Sequence, residues 1–168
     1  IFKAVHFLEG KPLAGKEFIL DTLLPLAAKY EIPVESTPLT EEEIYELDTY
    51  RIYALASEYI TTHTNVEMFQ QAIAARGWTK EICEEYGIGT VDIYRNFREY
   101  LKSFGFSAKF IDDVDLNREE IFGPTSIIFT IRDELGKTVG FASRNLLYTD
   151  DKENGPKYNN QKTTGAKC

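Results

Sequence analysis

The chain has 168 residues, of which 43% are hydrophobic and 27% charged, and its formal net charge is −8. A chain of this length can bury a sizeable core, and its composition excludes a disordered protein. No apolar run approaches the ~18 residues of a membrane-spanning helix. Two cysteines and two histidines are too few for a disulfide framework or a four-ligand zinc site, so we expect a reducing compartment and no metal in this chain.

The charge is unevenly distributed along the chain. Residues 1–135 carry 13 basic and 24 acidic side chains, a net charge of −11, whereas residues 136–168 carry six and three, a net charge of +3. An acidic protein is not a typical nucleic-acid partner, although a basic segment can supply a local binding surface. Such a segment is also typical of ordinary solvated surface, so the asymmetry by itself is a weak signal.

The N-terminal part is predicted to hold a short helix and a linker. Apolar spacing predicts a helix over residues 23–31, with Thr22 as its N-cap and Pro25 in the first turn, where a proline removes no intrahelical hydrogen bond. The stretch 31–39 is rich in proline and small polar residues, which is typical of a linker. A domain boundary is therefore predicted before Thr40.

Two helices with the same opening signature follow. Thr40 and Glu43 are spaced as a capping box, in which each side chain accepts a hydrogen bond from the other residue's backbone N–H, and a helix of about 20 residues is predicted to reach Thr61. Thr64 and Glu67 repeat the spacing, which predicts a second, shorter helix.

Two further helices complete the helical part of the chain. Thr79 is the predicted N-cap of a short helix that Gly87 ends, and another helix is predicted over residues 93–104, with Gly105 as a left-handed C-cap. Its predicted inward side chains are Phe97, Tyr100, Leu101 and Phe104.

The pattern then changes from helix to strand. Residues 125–132 and 137–147 are rich in β-branched and aromatic residues, and residues 133–136 between them supply turn chemistry. These segments predict a β-hairpin, after which the last twenty residues are predicted to be an extended loop.

The chain lacks the common catalytic motifs. No phosphate-binding loop, nucleophile elbow or H-E-x-x-H motif is present, and Gly87 with Gly89 is better explained by a structural turn. Asp112, Asp113 and Asp115 lack the glycine and distal glutamate of a calcium loop, so we expect a solvent-exposed acidic turn. We therefore predict no catalytic residue and no metal ligand in this chain.

One segment does have a pattern suited to binding. The stretch GKTVGFASR (136–144), followed by PKYNN (156–160), places Arg144, Lys157 and Asn160 where a strand leaves the hairpin. Arginine offers a planar fork of donors to a phosphate and lysine a point charge, so both can follow a polyanion without reading its sequence.

At these residues the sequence resembles the catalytic core of DnaG-type DNA primases of bacteria and phages. The family's F-P-I-R-D strand, its G-R-V-x-G-F-G-G-R motif and its K-Y-L-N motif correspond to FTIRD (129–133), GKTVGFASR and KYNN (157–160). Upstream, AIAARGWTKEICEEYGIG (72–89) and LAAKYEIPV (26–34) are similar to family segments in the same order.

Three departures from the family pattern stand out. Ala142 and Ser143 replace a glycine pair, and Asn159 replaces a leucine. Residues 121–127 replace an arginine-rich run, so the basic residues of that run cannot be carried over to this chain.

The resemblance implies an α+β fold, helical over the first two thirds and followed by a β-hairpin or small antiparallel sheet. Residues 40–168 would be the N-terminal subdomain of the RNA polymerase core, and residues 1–39 the tail of the zinc-domain region with a linker. The metal-binding carboxylates, which hold magnesium or manganese, would lie in a Toprim subdomain past Cys168, and a zinc ribbon would precede Ile1. The isolated chain would then be inactive.

The resemblance also implies a function, partners and site residues. The chain would be part of a DNA primase, a DNA-directed RNA polymerase that makes short RNA primers for replication in the cytoplasm of a bacterium or phage-infected host. It would bind single-stranded DNA template, RNA–DNA hybrid and ribonucleoside triphosphates, and the primosome's replicative helicase would contact other parts of the protein. Arg144 and Lys157 would contact phosphates and Asn160 would orient the loop. Weaker contributions are expected from Arg132, Lys137 and Lys162.

An alternative of a different class stays open. The net charge of −8 and the acidic run at residues 41–48 also suit a non-catalytic adaptor whose helices bind a basic protein. An enzyme acting on a small molecule has no motif in its support.

Overall fold

The structure, a computed structural model, describes residues 8–11, 18–32, 39–151 and 153–161. The chain divides into two compact units, Ile1–Leu39 and Thr40–Cys168. In the first unit a π-helical stretch, Phe18–Leu23, leads directly into helix α1, Leu24–Lys29. The prediction of Thr22 as the N-cap is wrong, because the chain is already helical there.

In the second unit one short strand lies between two of the helices, and the other three strands follow the last helix. The helices are α2 (Glu41–Thr62), α3 (Glu67–Ala74), α4 (Lys80–Tyr86), α5 (Tyr94–Ser103) and α6 (Ala108–Asp113). The strands are β1 (Ile88–Gly89), β2 (Ser126–Arg132), β3 (Thr138–Asn145) and β4 (Tyr158–Asn160). The predicted α+β class is confirmed. No helix in the described ranges is long and apolar enough to cross a lipid bilayer.

The two predicted capping boxes have different outcomes. At α2 the box is confirmed: Thr40 Oγ1 accepts from the Glu43 backbone N–H at 3.2 Å, and Glu43 Oε2 accepts from the Thr40 N–H at 2.8 Å. At α3 the N-cap is Val66, which makes no side-chain capping bond. The second box is wrong because Glu67 is the first residue of α3, whereas a capping box requires the glutamate at the third position of the helix.

The predicted ends of α4 and α5 are mostly confirmed. Thr79 caps α4 through its hydroxyl, and Gly87 ends it in the left-handed conformation at φ 64°. Of the predicted inward side chains of α5, Phe97 and Leu101 are fully buried and Tyr100 packs partly buried against the same core. Phe104 is 41% exposed, because α5 ends before it and the chain turns away at Gly105.

Three short elements were not predicted from the sequence. They are α6, which Ser107 caps, the two-residue strand β1 and the three-residue strand β4. Strand β1 lies directly against α2: the Thr90 N–H donates to the Ile60 carbonyl at 3.2 Å, and a Cβ at Gly89 would overlap that same oxygen. Gly89 is therefore required by close backbone packing.

The sheet has the order β1-β2-β3-β4, and every neighbouring pair is antiparallel. The predicted hairpin is confirmed as β2 and β3. Its turn is closed by an Asp133 N–H bond to the Lys137 carbonyl at 2.9 Å, with Gly136 at φ 80°. A register shift between Ile131 and Arg132 marks a bulge just before the turn.

The sheet has two different faces, because side chains alternate along each strand. On one, the helix-packed face, Ile128 and Phe141 join the main core with α2 and α5. On the other, Ile127 and Phe129 form a second cluster with α3 and α4. The strand residues of this cluster belong to β1 and β2, and Leu146 joins it just after the end of β3. The β3–β4 half, which we call the open face, carries Gly140, Ala142, Arg144, Tyr158 and Asn160.

Candidate nucleic-acid interface

Arg144 lies on the open face and is held there by its cross-strand neighbour. It pairs with Tyr158 between β3 and β4, its Nη1 donates to the tyrosine hydroxyl at 2.7 Å, and its guanidinium lies 5.4 Å from the ring centroid. A planar arginine packed on an aromatic ring keeps its other N–H groups pointing outward. The strand pair therefore presents a positioned donor fork.

Lys157 brings a second cation to the same tyrosine. Its ammonium lies 5.9 Å from the centroid of the Tyr158 ring and 5.6 Å from that of Tyr148. The Tyr158 residue is 57% exposed. Within the described ranges neither Lys157 nor Arg144 forms an ion pair. Two cations beside an exposed aromatic ring suit a polyanion whose bases can stack.

Asn160 completes this group at the end of β4. It pairs with Ala142, and its backbone carbonyl accepts from Arg118 Nη1 at 2.9 Å. Its exposed side chain shares the open face with Arg144 and Tyr158 by strand alternation. The structure therefore brings Arg144, Lys157 and Asn160 together.

The other predicted cations lie elsewhere. Arg132 Nη1 donates to the Glu85 carbonyl at 3.0 Å, at the C-terminal end of α4, and the Lys137 ammonium lies 4.8 Å from the Tyr50 ring. Arg144 pairs with Ile127, five residues before Arg132 on β2, which corresponds to about 17 Å along the strand. Lys162 lies outside the described residues.

A sequence model of the family described as DNA primase catalytic core, N-terminal domain, matches residues 56–166. The chain belongs to this family. The predicted resemblance to DnaG-type primases is thereby confirmed. No curated protein sequence matches this primase domain.

Solved primase structures share the fold of this primase domain. The RNA polymerase domain of Mycobacterium tuberculosis primase DnaG is 19% identical with a TM-score of 0.60, over 70% of this chain and 40% of that one. The zinc-binding and RNA polymerase domains of Aquifex aeolicus primase are 14% identical with a TM-score of 0.58, over 97% of this chain and 38% of that one. A DnaG catalytic domain bound to single-stranded DNA is 21% identical with a TM-score of 0.54, over 70% of this chain and 38% of that one. The chain thus spans about two fifths of these structures.

Sequence reasoning missed two residues of the primase domain's interface. Tyr158 lies within the KYNN stretch, and only the structure shows that both cations lie close to its ring. Arg118 reaches from the loop before β2 to the β4 backbone and also pairs with Asp115 at 3.8 Å and Glu120 at 2.8 Å. The charge-rich sequence around Arg118 gave no sign of this long-range contact.

The predicted acidic turn is partly wrong. Asp112 lies in α6 and pairs with Arg98 at 2.8 Å, while Asp115 is 9% exposed and adopts a positive φ of 57°. Asp113 is exposed as expected. Across the described ranges no group of three His, Cys, Asp or Glu side chains could hold a metal ion.

Two titratable groups in the interior of the primase domain have raised pKa values. Burial, together with a hydrogen bond from the Tyr59 hydroxyl to Asp92 at 3.1 Å, raises the pKa of Tyr59 to about 12. Burial also raises the pKa of the Cys83 thiol. Both groups belong to the packed core clusters, so these shifts follow from packing and not from a surface site.

Proposed function

We propose that this chain supplies the template- and nucleotide-binding wall of a DNA primase, which makes short RNA primers for DNA replication. The carrying observation is that Arg144 and Lys157 lie 5.4 Å and 5.9 Å, respectively, from the centroid of the exposed Tyr158 ring, without a carboxylate partner in the described part of the chain. The primase family and the DNA-bound neighbour support this function.

The two cations divide the work of holding a nucleic-acid backbone. Arg144 can give one phosphate two parallel hydrogen bonds, whereas Lys157 attracts phosphates from several directions. Tyr158 offers a π-face on which a base or sugar can rest. None of these contacts reads a base sequence, which suits single-stranded template, RNA–DNA hybrid and the phosphates of ribonucleoside triphosphates alike.

The nucleotidyl-transfer chemistry is assigned to other parts of the protein. Its magnesium or manganese ions would neutralise charge on the reacting phosphates. The described residues of this chain do not fit such a centre, because they contain no suitable cluster of ligands. We expect the metals in a following Toprim subdomain, zinc in a preceding ribbon, the helicase on other segments and the protein in the cytoplasm. The isolated chain should make no primers.

The adaptor function is the second candidate. It is favoured by residues 41–47, the exposed first two turns of α2, which contain Glu41, Glu42, Glu43 and Glu46. Three of these acids also stabilise the positive end of the helix, so their presence has a local explanation.

Salt-dependent DNA binding tests the proposed function. Fluorescence anisotropy with a short single-stranded oligonucleotide should give an affinity that falls with salt, and Arg144→Ala/Lys157→Ala should reduce the slope of log K against log salt by about 1.4. The control Lys80→Ala/Lys102→Ala removes the same charge from surface ion pairs on α4 and α5 and should leave the slope unchanged. Equal slopes for the two double variants would refute the site, and no binding at low salt would favour the adaptor.

A further inference from the structure

A polar groove lies on the helix-packed side of β4, opposite the open face. It has a volume of about 460 Å³ and is formed by the loop before β2 and the loop between β3 and β4. Its polar lining includes Arg118, Glu120, Asn145, Asn154 and Asn159, and its apolar lining includes Leu147 and Pro156. A groove of this size is in the range of about 300–1,000 Å³ that small ligands occupy.

Asn159 is the unexplained side chain in this groove. The residue is only 9% exposed, yet its carboxamide has no hydrogen-bond partner in the described part of the chain. By strand alternation it lies on the same face as Asn145, whose own carboxamide is bonded to the Asn154 carbonyl at 2.6 Å. Its amide lines the groove and reaches solvent there, so it is available to exchange hydrogen bonds with a ligand.

A buried polar group lies directly beside Asn159 on the neighbouring strand. Ser143 is its cross-strand partner, and the Ser143 hydroxyl is fully buried without a hydrogen-bond partner among the described residues. Cross-strand partners stand about 5 Å apart at their Cβ atoms. These two positions are also where the chain has serine for glycine and asparagine for leucine relative to the primase motifs. Ser143 does not line the groove, so of this pair it is the Asn159 carboxamide that can meet a polar ligand there.

The charges of the described lining favour a neutral ligand over an anion. Among the described lining residues Arg118 is the cation, and it is already paired with Glu120 at 2.8 Å and with Asp115 at 3.8 Å. The hydrogen bond from Arg118 keeps the pKa of Glu120 below its ordinary value, so this carboxylate stays ionised. A phosphate would find Arg118 already paired with carboxylates, whereas a neutral group with both donors and acceptors would fit.

We infer that this groove binds a nucleobase carrying an exocyclic amino group, such as cytosine, through the Asn159 carboxamide and the Glu120 carboxylate. The inference rests on the proposed function, because the base would belong to the strand whose phosphates contact the open face. Tyr158 and Asn159 are consecutive on an edge strand and face opposite sides, so one nucleic-acid strand passing the edge reaches both. The amino group donates to carboxylate or amide oxygen, and Leu147 and Pro156 flank the ring.

Oligo(dC) and oligo(dU) of equal length test this in the full chain, because the two bases differ in the amino group. Anisotropy should show about tenfold tighter binding of oligo(dC), and Asn159→Leu should abolish the difference without changing the salt slope. The matched control Asn96→Leu makes the same replacement at an exposed position of α5 and should keep the preference. Equal affinity of the wild-type chain for both oligomers would overturn the inference, as would a preference that persists in Asn159→Leu.

Free nucleosides separate this inference from the proposed function. In NMR spectra of the wild-type chain, millimolar cytidine should shift the Asn159 side-chain amide and the Gly155 backbone amide, and uridine should not. If the chain bound no DNA at all but cytidine shifted these signals, the nucleobase site in the groove would be supported and the proposed function would be refuted. Absence of a cytidine-specific shift would overturn the groove, whatever the DNA affinity.

Discussion

Two arginines on neighbouring strands show how differently the two halves of the sheet are used. Arg132, in the β1–β2 half, lies beside a helix, and its guanidinium is engaged with the Glu85 carbonyl at 3.0 Å. Arg144, in the β3–β4 half, is bonded to an exposed tyrosine. The same residue type therefore stabilises a helix end in one half and offers hydrogen-bond donors to a ligand in the other. What covers the strand decides between these roles.

The largest expected difference between the halves is in glycine packing. Gly89→Ala in β1 would drive a Cβ into the Ile60 carbonyl and should lower the free energy of unfolding by roughly 3 kcal/mol. Gly140→Ala on the open face meets its nearest atom, Gln161 Oε1, at 3.5 Å and should be close to neutral. Urea denaturation measures both. A well-tolerated Gly89→Ala would mean that β1 is not held against α2 as described.

Alanine variants of Arg132 and Arg144, each measured for both stability and DNA binding, test the comparison further. Arg132→Ala should lower stability by up to about 1 kcal/mol, because α4 loses a C-terminal cation, and should leave DNA binding unchanged. Arg144→Ala should leave stability nearly unchanged and reduce the salt slope of single-strand binding by about 0.7. Thermal denaturation and anisotropy on both variants check this. A larger loss of DNA affinity from Arg132→Ala than from Arg144→Ala would contradict the assignment of DNA binding to the β3–β4 half of the sheet.

A stabilising substitution is expected on the opposite face of the same strand. Ser143 buries a hydroxyl without a partner among the described residues, so Ser143→Ala should raise the free energy of unfolding by about 1 kcal/mol in the absence of ligand. The neighbouring control Ala142→Ser places a hydroxyl on the open face and should have little effect. Chemical denaturation of both variants compares the two faces at adjacent positions. A destabilised Ser143→Ala would show that the hydroxyl has a partner in solution.

The smallest expected effect lies outside the sheet, at the exposed capping box of α2. The hydrogen bond from the Thr40 backbone, followed by that from its side chain, holds the pKa of Glu43 below its ordinary value. A lowered folded-state pKa contributes stability above the unfolded-state value, and that contribution is lost as the pH falls through the folded-state pKa. Wild type should therefore exceed Glu43→Gln slightly in melting temperature at neutral pH, and the gap should close in acid. A gap that widens in acid would contradict the capping role.

Local signals made much of the helical part predictable, and they failed where distant contacts decide. The Thr40–Glu43 box is satisfied within one helical turn, so the sequence alone suffices for it. The same spacing at Thr64 fails because the Thr64 carbonyl accepts from the Gln70 side chain at 2.8 Å and the helix starts later. Strands β1 and β4 were missed because two or three residues are too short to show a period.

The candidate site was predictable in composition and not in arrangement. The motif residues Arg144, Lys157 and Asn160 are indeed neighbours, but Arg132 and Lys137 lie near the hairpin turn at the other end of the strands. That separation follows from the strand register, which cannot be read from the sequence. The sequence does not reveal the positions of Tyr158 and Asn159 in the site. The face that each side chain occupies is known only once β4 is paired with β3.

The bond between Arg144 and the Tyr158 hydroxyl has a consequence for the timing of binding. A long arginine side chain loses rotamer freedom when it grips a ligand, at a cost of about 0.5–1.5 kcal/mol. At 2.7 Å the tyrosine hydroxyl has already fixed this side chain before any ligand arrives. Lys157 has ring contacts but no such anchor among the described residues, so it keeps its torsional freedom. Under the proposed function, Arg144 would bind the first phosphate in a conformation fixed in advance, and Lys157 would adjust its conformation to the next phosphate.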